Sequence, residues 1–290
     1  MDRLLIVAAL TAVIHFINTL AYAIRISGVR TRRLATAFSI FNVIFLVAST
    51  ANTIQAPILA SIVEMVIKTG QTQTGARVTD AQLVNSAAYQ ALLVSLSDNI
   101  RIVILAATAG TIIAAALIPA FVNIFNRAIF LFEETGSVPR MLGSIIISPR
   151  RFMKAGGQIY LAGRSSLKLA AKKKMAIPKT FLFLNIIVTG VYTTGVLSAI
   201  YAGALFPGFR STATLLSAVV NGVATILAAT VVEPTAAAIT DQALREERGD
   251  EDVKQMVLYL TLTRILGTVF AQLIFLPSAY LVKYVAALLA

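Results

Sequence analysis

The chain has 290 residues, 58% of them hydrophobic and only 13% charged, with a formal net charge of +12. A soluble domain carries about 25% charged residues, so a water-soluble globule is excluded, in keeping with a mean hydropathy of +0.82. With no cysteine and a single histidine, disulfides, thiol catalysis, thiolate metal centres and multi-histidine metal sites are excluded as well.

The apolar residues cluster into runs of about 20, the length that crosses ~30 Å of hydrocarbon as a helix. The short alternating segments of a β-barrel are absent. The pattern predicts an all-α integral membrane protein with six transmembrane helices, at residues 4–24, 34–54, 102–125, 181–205, 212–232 and 258–282. The first run, followed by Ala21-Tyr22-Ala23, has the outline of a signal peptide. Its start lacks net positive charge and its interior holds His15 and Asn18, so it is expected to stay as the first span. Residues 57–67 are apolar but too short to cross, and extend the second helix beyond Pro57 or lie at the interface.

Basic residues set the orientation. The loops after the first, third and fifth spans hold eighteen lysines and arginines, against four in the two remaining loops. By the positive-inside rule those three loops are cytoplasmic and both termini lie outside. The charge thus belongs to loops beside spans, which points to anionic lipid as a partner and away from nucleic acid. The middle loop, 126–179, is strongly basic, and within it 152–174 reads as an amphipathic helix on the inner leaflet. Residues 71–82 read as a short exposed loop, and 245–252 (REERGDED) as a charged turn.

The chain forms a single membrane domain, 1–290, which divides into halves 1–125 and 180–290. Gly28-Val29-Arg30 opens the second span and is followed by Asn42 and Pro57; Gly208-Phe209-Arg210 opens the fifth and is followed by Asn221 and Pro234. The third span ends in Leu117-Ile118-Pro119-Ala120 and the sixth in Phe275-Leu276-Pro277-Ser278. Three spans per half reverse the orientation of the second half, which predicts two inverted three-helix repeats, as in alternating-access transporters.

Polar groups inside spans are costly, so each is a candidate for function or for interhelical bonding. Thr11, His15, Asn18, Tyr22 and Arg25 share one face of the first span. Asn42, Ser49 and Asn52 do so on the second, Asn185, Thr189 and Tyr192 on the fourth, Ser217, Asn221, Thr225 and Ala229 on the fifth, and Arg264, Thr268 and Gln272 on the sixth. The third span shows instead Ala106, Gly110 and Ala114, a seam of small residues suited to close helix packing. Five polar stripes in one small bundle are expected to line a common groove between the halves. Arginines near it (Arg25, Arg30, Arg101, Arg210, Arg264) suit an anionic headgroup, because guanidinium forks match phosphate oxygens. Arg25, Arg30 and Arg264 are candidates for capturing a pyrophosphate on the cytoplasmic side. His15, Asn18, Tyr22, Asn42, Asn52, Gln55, Asn221 and Gln272 are candidates to line the headgroup path. No P-loop, nucleophile elbow or paired carboxylates occur, so neither a catalytic residue nor a cofactor or metal site is expected.

Two blocks carry a resemblance. GVRTRRLATAFSIFN with TANTIQAPILASIVE, and IPAFVNIFNR running on to EETGSVP, resemble the lipid II flippase Amj family, the bacterial alternate to MurJ-type flippases. The resemblance implies translocation of an undecaprenyl-pyrophosphate-linked peptidoglycan precursor, lipid II, from the inner to the outer leaflet of the cytoplasmic membrane. Two other readings stay open at this point: an integral membrane enzyme acting on a polyprenyl-phosphate lipid, and a non-catalytic membrane scaffold.

Overall fold

The computed structural model describes residues 2–75, 78–147 and 177–289. Its elements are α1 (Asp2–Thr31), α2 (Leu34–Thr74), α3 (Asp80–Asn85), α4 (Ala87–Thr135), α5 (Val138–Ile147), α6 (Lys179–Leu205), α7 (Arg210–Leu215), α8 (Ser217–Leu227), α9 (Glu233–Leu244) and α10 (Asp250–Leu288). Among the described residues there is no strand. Six stretches are long and apolar enough to cross a membrane: α1, α2, α4, α6, the composite Pro207–Leu244 and α10. Each contains one expected span.

The helices run further than the apolar runs. α4 has 49 residues, about 73 Å at 1.5 Å per residue, so it projects well past a bilayer. It ends where Gly136 takes a left-handed conformation (φ 62°) and donates its N–H to the Phe132 carbonyl, a common helix stop. α2 passes through Pro57 and absorbs 57–67, as one of the two expectations held. The exposed loop expected at 71–82 is corrected. α2 continues to Thr74, and α3 begins at a capping box in which Thr79 and Gln82 bond each other's backbone. The middle loop also shortens, because α4 and α5 occupy its first part; the amphipathic segment expected at 152–174 lies outside the described residues.

The fifth span is the broken one. It starts with a 3-10 turn, Pro207–Phe209, then runs through α7, α8, a π-helical turn at Ala228–Val232, and α9. Pro234 cannot donate to the carbonyl four residues back, and its ring crowds that carbonyl. The widened turn sits immediately before it, a common way for a helix to accommodate such a defect.

Packing divides the bundle in two. α1 packs most extensively on α4 and α2; α6 packs most extensively on α10 and the fifth span. Glycine sets the closest approach in each half. A Cβ on Gly110 of α4 would overlap the Ala12 carbonyl of α1, and one on Gly267 of α10 would lie 2.6 Å from Thr189 Cβ of α6. Gly110→Val should therefore force α1 and α4 apart, an overpacking cost of about 1–3 kcal/mol. Thermal unfolding of the purified protein checks this against Ala109→Val on the exposed side of the same turn.

Large apolar side chains such as Leu46 (61%), Leu105 (58%), Leu215 (74%) and Leu273 (73%) face outward. Lipid, not water, is the medium in which such a surface is stable. The interior holds two main buried clusters. One gathers Ile26, Ile40, Phe125, Phe181 and Met256 near the α1–α2 turn. The other gathers Leu59, Tyr89, Ile100, Leu197 and Phe275 toward the opposite end. At the first end, ion pairs tie the α1–α2 turn to its neighbours: Arg33 to Glu133 of α4, and Arg32 to Glu246 after α9. Among the described residues, Arg32 and Glu246 are also the two non-glycine positions with left-handed backbone, φ 56° and 64°. The ends of α1, α4 and α9, from which the three loops expected on one side of the membrane depart, thus meet at one end of the bundle.

Candidate functional site

A cavity of about 620 Å³ opens in the half of the bundle nearer those loops. Its back wall is made by α1, α6 and α10, and its flanks by α2 and the fifth span. α4, the helix with the small-residue seam, contributes nothing to the lining. The reason is the period of each helix: polar residues three, four and seven apart stack on one face. α1 presents His15, Asn18, Tyr22 and Arg25; α6 presents Asn185, Thr189 and Tyr192; the fifth span presents Asn221 and Thr225; α10 contributes Arg264.

The two flanks do not close on each other. α2 and the fifth span both pack on α6, but no extensive packing joins α2 to α8 or α9. Ser49 and Asn52 of α2 and Thr225, Ala229 and Glu233 of the fifth span are exposed, as are Phe45 (44%) and Tyr192 (42%). The cavity is therefore a cleft that reaches the lipid-facing surface between α2 and the fifth span.

Its charges are unequal. Arg25 is buried, with its guanidinium 5.3 Å from the Phe38 ring centre. Its Nη2 donates to Glu233 Oε2 at 2.5 Å. Arg264 has no carboxylate among the described residues. Its Nη1 reaches the Tyr22 hydroxyl at 3.5 Å, its guanidinium carbon stands 5.8 Å from the Tyr22 ring centre, and its buried Nε has no partner among the described residues. Two arginines against one glutamate leave the cleft net positive.

The remaining polar groups are partly held and partly free. Asn185 Nδ2 donates to the Leu260 carbonyl at 3.2 Å and to Thr263 Oγ1 at 2.8 Å, fastening α6 to α10. The Tyr192 hydroxyl donates to Thr225 Oγ1 at 2.8 Å. His15 Nδ1 and Asn221 Oδ1 are buried without partners among the described residues. Asn221 lies so near α6 that a Cβ on Gly195 would collide with its Oδ1. Beyond the cleft, toward the far end, two tyrosines tie helices together. The Tyr201 hydroxyl donates to the Leu93 carbonyl (3.2 Å) and the Tyr89 hydroxyl to the Ala204 carbonyl (2.8 Å).

A family model described as "Alternate to MurJ", Amj, matches residues 10–286. The chain belongs to the Amj family. Among curated relatives, the Lipid II flippase Amj of Bacillus subtilis (strain 168) is 32% identical over 282 residues, covering 97% of this chain and 96% of the relative. No solved structure matches. The resemblance carried by residues 28–42, 50–64 and 118–139 thus extends over nearly the whole length.

In this Amj-family chain the residues singled out from sequence separate into two sets. His15, Asn18, Tyr22, Arg25, Asn52, Asn221 and Arg264 line the one cleft. Arg30, Asn42, Gln55, Arg101 and Gln272 do not. Arg30 is exposed at the loop end, five residues beyond Arg25 and so about 140° round the helix. Asn42 is exposed as well; it lies about 80° round α2 from Asn52, on the lipid side of a face defined by Phe41, Phe45 and Ala48. Gln55 is buried off the cleft, with Oε1 unpartnered among the described residues.

Arg101 and Gln272 hold each other: Arg101 Nη1 donates to the Gln272 carbonyl at 3.0 Å, and Gln272 Nε2 to the Arg101 carbonyl at 2.9 Å. That clasp lies beyond the cleft, toward the far end. Glu233, beside Pro234, also lines the cleft and is not among the residues singled out from sequence. Its signal was an acidic residue in an otherwise apolar run.

Proposed function

We propose that this chain is a flippase that carries lipid II from the inner to the outer leaflet of the bacterial cytoplasmic membrane, with no bond made or broken. The observation that carries the reading beyond family membership is the cleft itself: an unpaired arginine on a polar wall, reached from the lipid surface through a gap between two spans. A polyprenyl-pyrophosphate lipid needs all three features. Its pyrophosphate needs guanidinium donors, its sugars need amide and hydroxyl partners, and its tail must stay in hydrocarbon while the headgroup is inside. A cavity of 620 Å³ falls within the ~300–1,000 Å³ of small-molecule sites. It suits a pyrophosphate and the adjoining sugar, with the rest of the glycopeptide extending toward the open end.

The uneven basic charge of the loops supports an open end at the cytoplasm, both termini outside, and a basic middle loop against anionic lipid. In this reading the described conformation is inward-facing, and the Arg101–Gln272 clasp, with Tyr89 and Tyr201, forms the outer closure. The halves act as inverted repeats. What supports this is their common packing scheme: first helix on third and second, fourth on sixth and fifth, with Gly110 and Gly267 at matching close approaches and Pro119 and Pro277 following each. Rocking of one half against the other would close the cleft inside and open it outside.

The direct measurement is the leaflet accessibility of lipid II in proteoliposomes. Vesicles holding the purified chain should expose inner-leaflet lipid II to an external modifying reagent within minutes, while protein-free vesicles expose only about half. Equal exposure in both would reject the function.

A further inference from the structure

We propose that Glu233 is a resident counter-anion, bound to Arg25 while the cleft is empty and displaced when the pyrophosphate of the incoming lipid takes its place, which unlatches the fifth span. The inference rests on the reading of the cleft as a polyprenyl-pyrophosphate headgroup site.

Three observations converge on it. First, the two cleft arginines differ: Arg264 is free to meet an anion at once, whereas Arg25 is already engaged. A pyrophosphate docked on Arg264 reaches a second guanidinium only by competing with Glu233. Second, the pair is lopsided. The Arg25 side chain is 7% exposed and that of Glu233 is 63% exposed. The cation is fixed in the wall while the acid faces the opening, so the acid is the partner with room to move away. A pyrophosphate offers more negative charge and several oxygens for a bidentate fork, so it can outbid a single carboxylate.

Third, the backbone beneath Glu233 is built to respond. The residue sits between the π turn Ala228–Val232 and Pro234, and such turns recur at functional sites. Contact between α1 and α9 is slight, so the Arg25–Glu233 bond is a main tie between the first span and the fifth. Occupancy of the headgroup site would thereby loosen a tie between the two halves. Lipid binding and helix movement are coupled because both draw on the same guanidinium.

The test uses the full chain in detergent, with farnesyl pyrophosphate as a short polyprenyl-pyrophosphate probe and inorganic phosphate as control. Glu233→Gln should bind farnesyl pyrophosphate about tenfold more tightly than the wild type, since a competing charge is gone. Lipid II transport in proteoliposomes should nevertheless fall at least about tenfold. Glu233→Asp, which keeps the charge, should fall between the two in both measurements. A residue that merely holds the fold would lose binding and transport together.

A second measurement keeps Glu233 intact. A single cysteine at the buried Ala236 in this cysteine-free chain should react with maleimide several-fold faster when farnesyl pyrophosphate is added, and not with inorganic phosphate. Equal or weaker binding by Glu233→Gln, or labelling that the probe leaves unchanged, overturns the proposal. Failure of the underlying headgroup reading looks different: the wild-type chain itself neither binds the probe nor moves lipid II.

Discussion

Arg264→Ala will abolish complementation of a flippase-deficient strain while the protein still accumulates in the membrane. Arg264 is the cleft's unpaired guanidinium, with only the Tyr22 hydroxyl at 3.5 Å and a buried Nε left over. Removing one side of a desolvated charge pair costs roughly 2–5 kcal/mol, or about 30-fold or more in transport at limiting lipid. Arg264→Lys keeps the charge but loses the planar fork, so it should recover only part of the rate. Because Arg264 has no internal ion-pair partner among the described residues, its loss leaves no carboxylate stranded, and thermal stability should change little. Normal growth of the alanine variant, at normal protein level, would remove Arg264 from the headgroup site.

Bridging the cleft across its mouth should stop transport completely. Ser49 on α2 and Ala229 on the fifth span are both exposed and both line the cavity from opposite flanks. The chain has no cysteine, so Ser49→Cys with Ala229→Cys can be joined selectively by bis-maleimides of graded length, one carrying a disulfide in its spacer. Once joined, the gap through which a polyprenyl tail must trail is blocked and the flanks cannot rock apart. Lipid II movement should drop to the rate of protein-free vesicles and return when the spacer is reduced. The single-cysteine chains treated with the same reagents serve as controls. If the bridged chain moves lipid II as fast as those controls, the lipid does not pass between α2 and the fifth span.

Much of the cleft was legible because a helix repeats every 3.6 residues wherever it is placed. His15, Asn18, Tyr22 and Arg25 share a face by spacing alone, as do Asn185, Thr189 and Tyr192, and the fold then turns those faces toward one another. The same rule grouped Asn42 with Ser49 and Asn52; in the fold Asn42 falls just past the edge of the lining face of α2, exposed and off the cleft. It also could not separate Arg264 from Gln272. Those two are eight residues apart, about 12 Å along the axis, which is enough to place one in the cleft and the other in the clasp toward the far end.

The sequence by itself determined what depends on composition and on short-range order. Six apolar runs of spanning length, an uneven count of basic residues in the loops and the blocks shared with the Amj family all lie along the chain, and hydrocarbon tolerates few structures besides helices. The tertiary structure alone decided which charges are spoken for. Arg25 meets Glu233 across 208 positions and Arg101 meets Gln272 across 171. No local pattern encodes pairings at such separations, because they depend on how whole helices are rotated and staggered when their apolar and small-residue faces pack. Arg25 and Arg264 look alike in the sequence; in the folded bundle one is held by a carboxylate and the other is open to an anion.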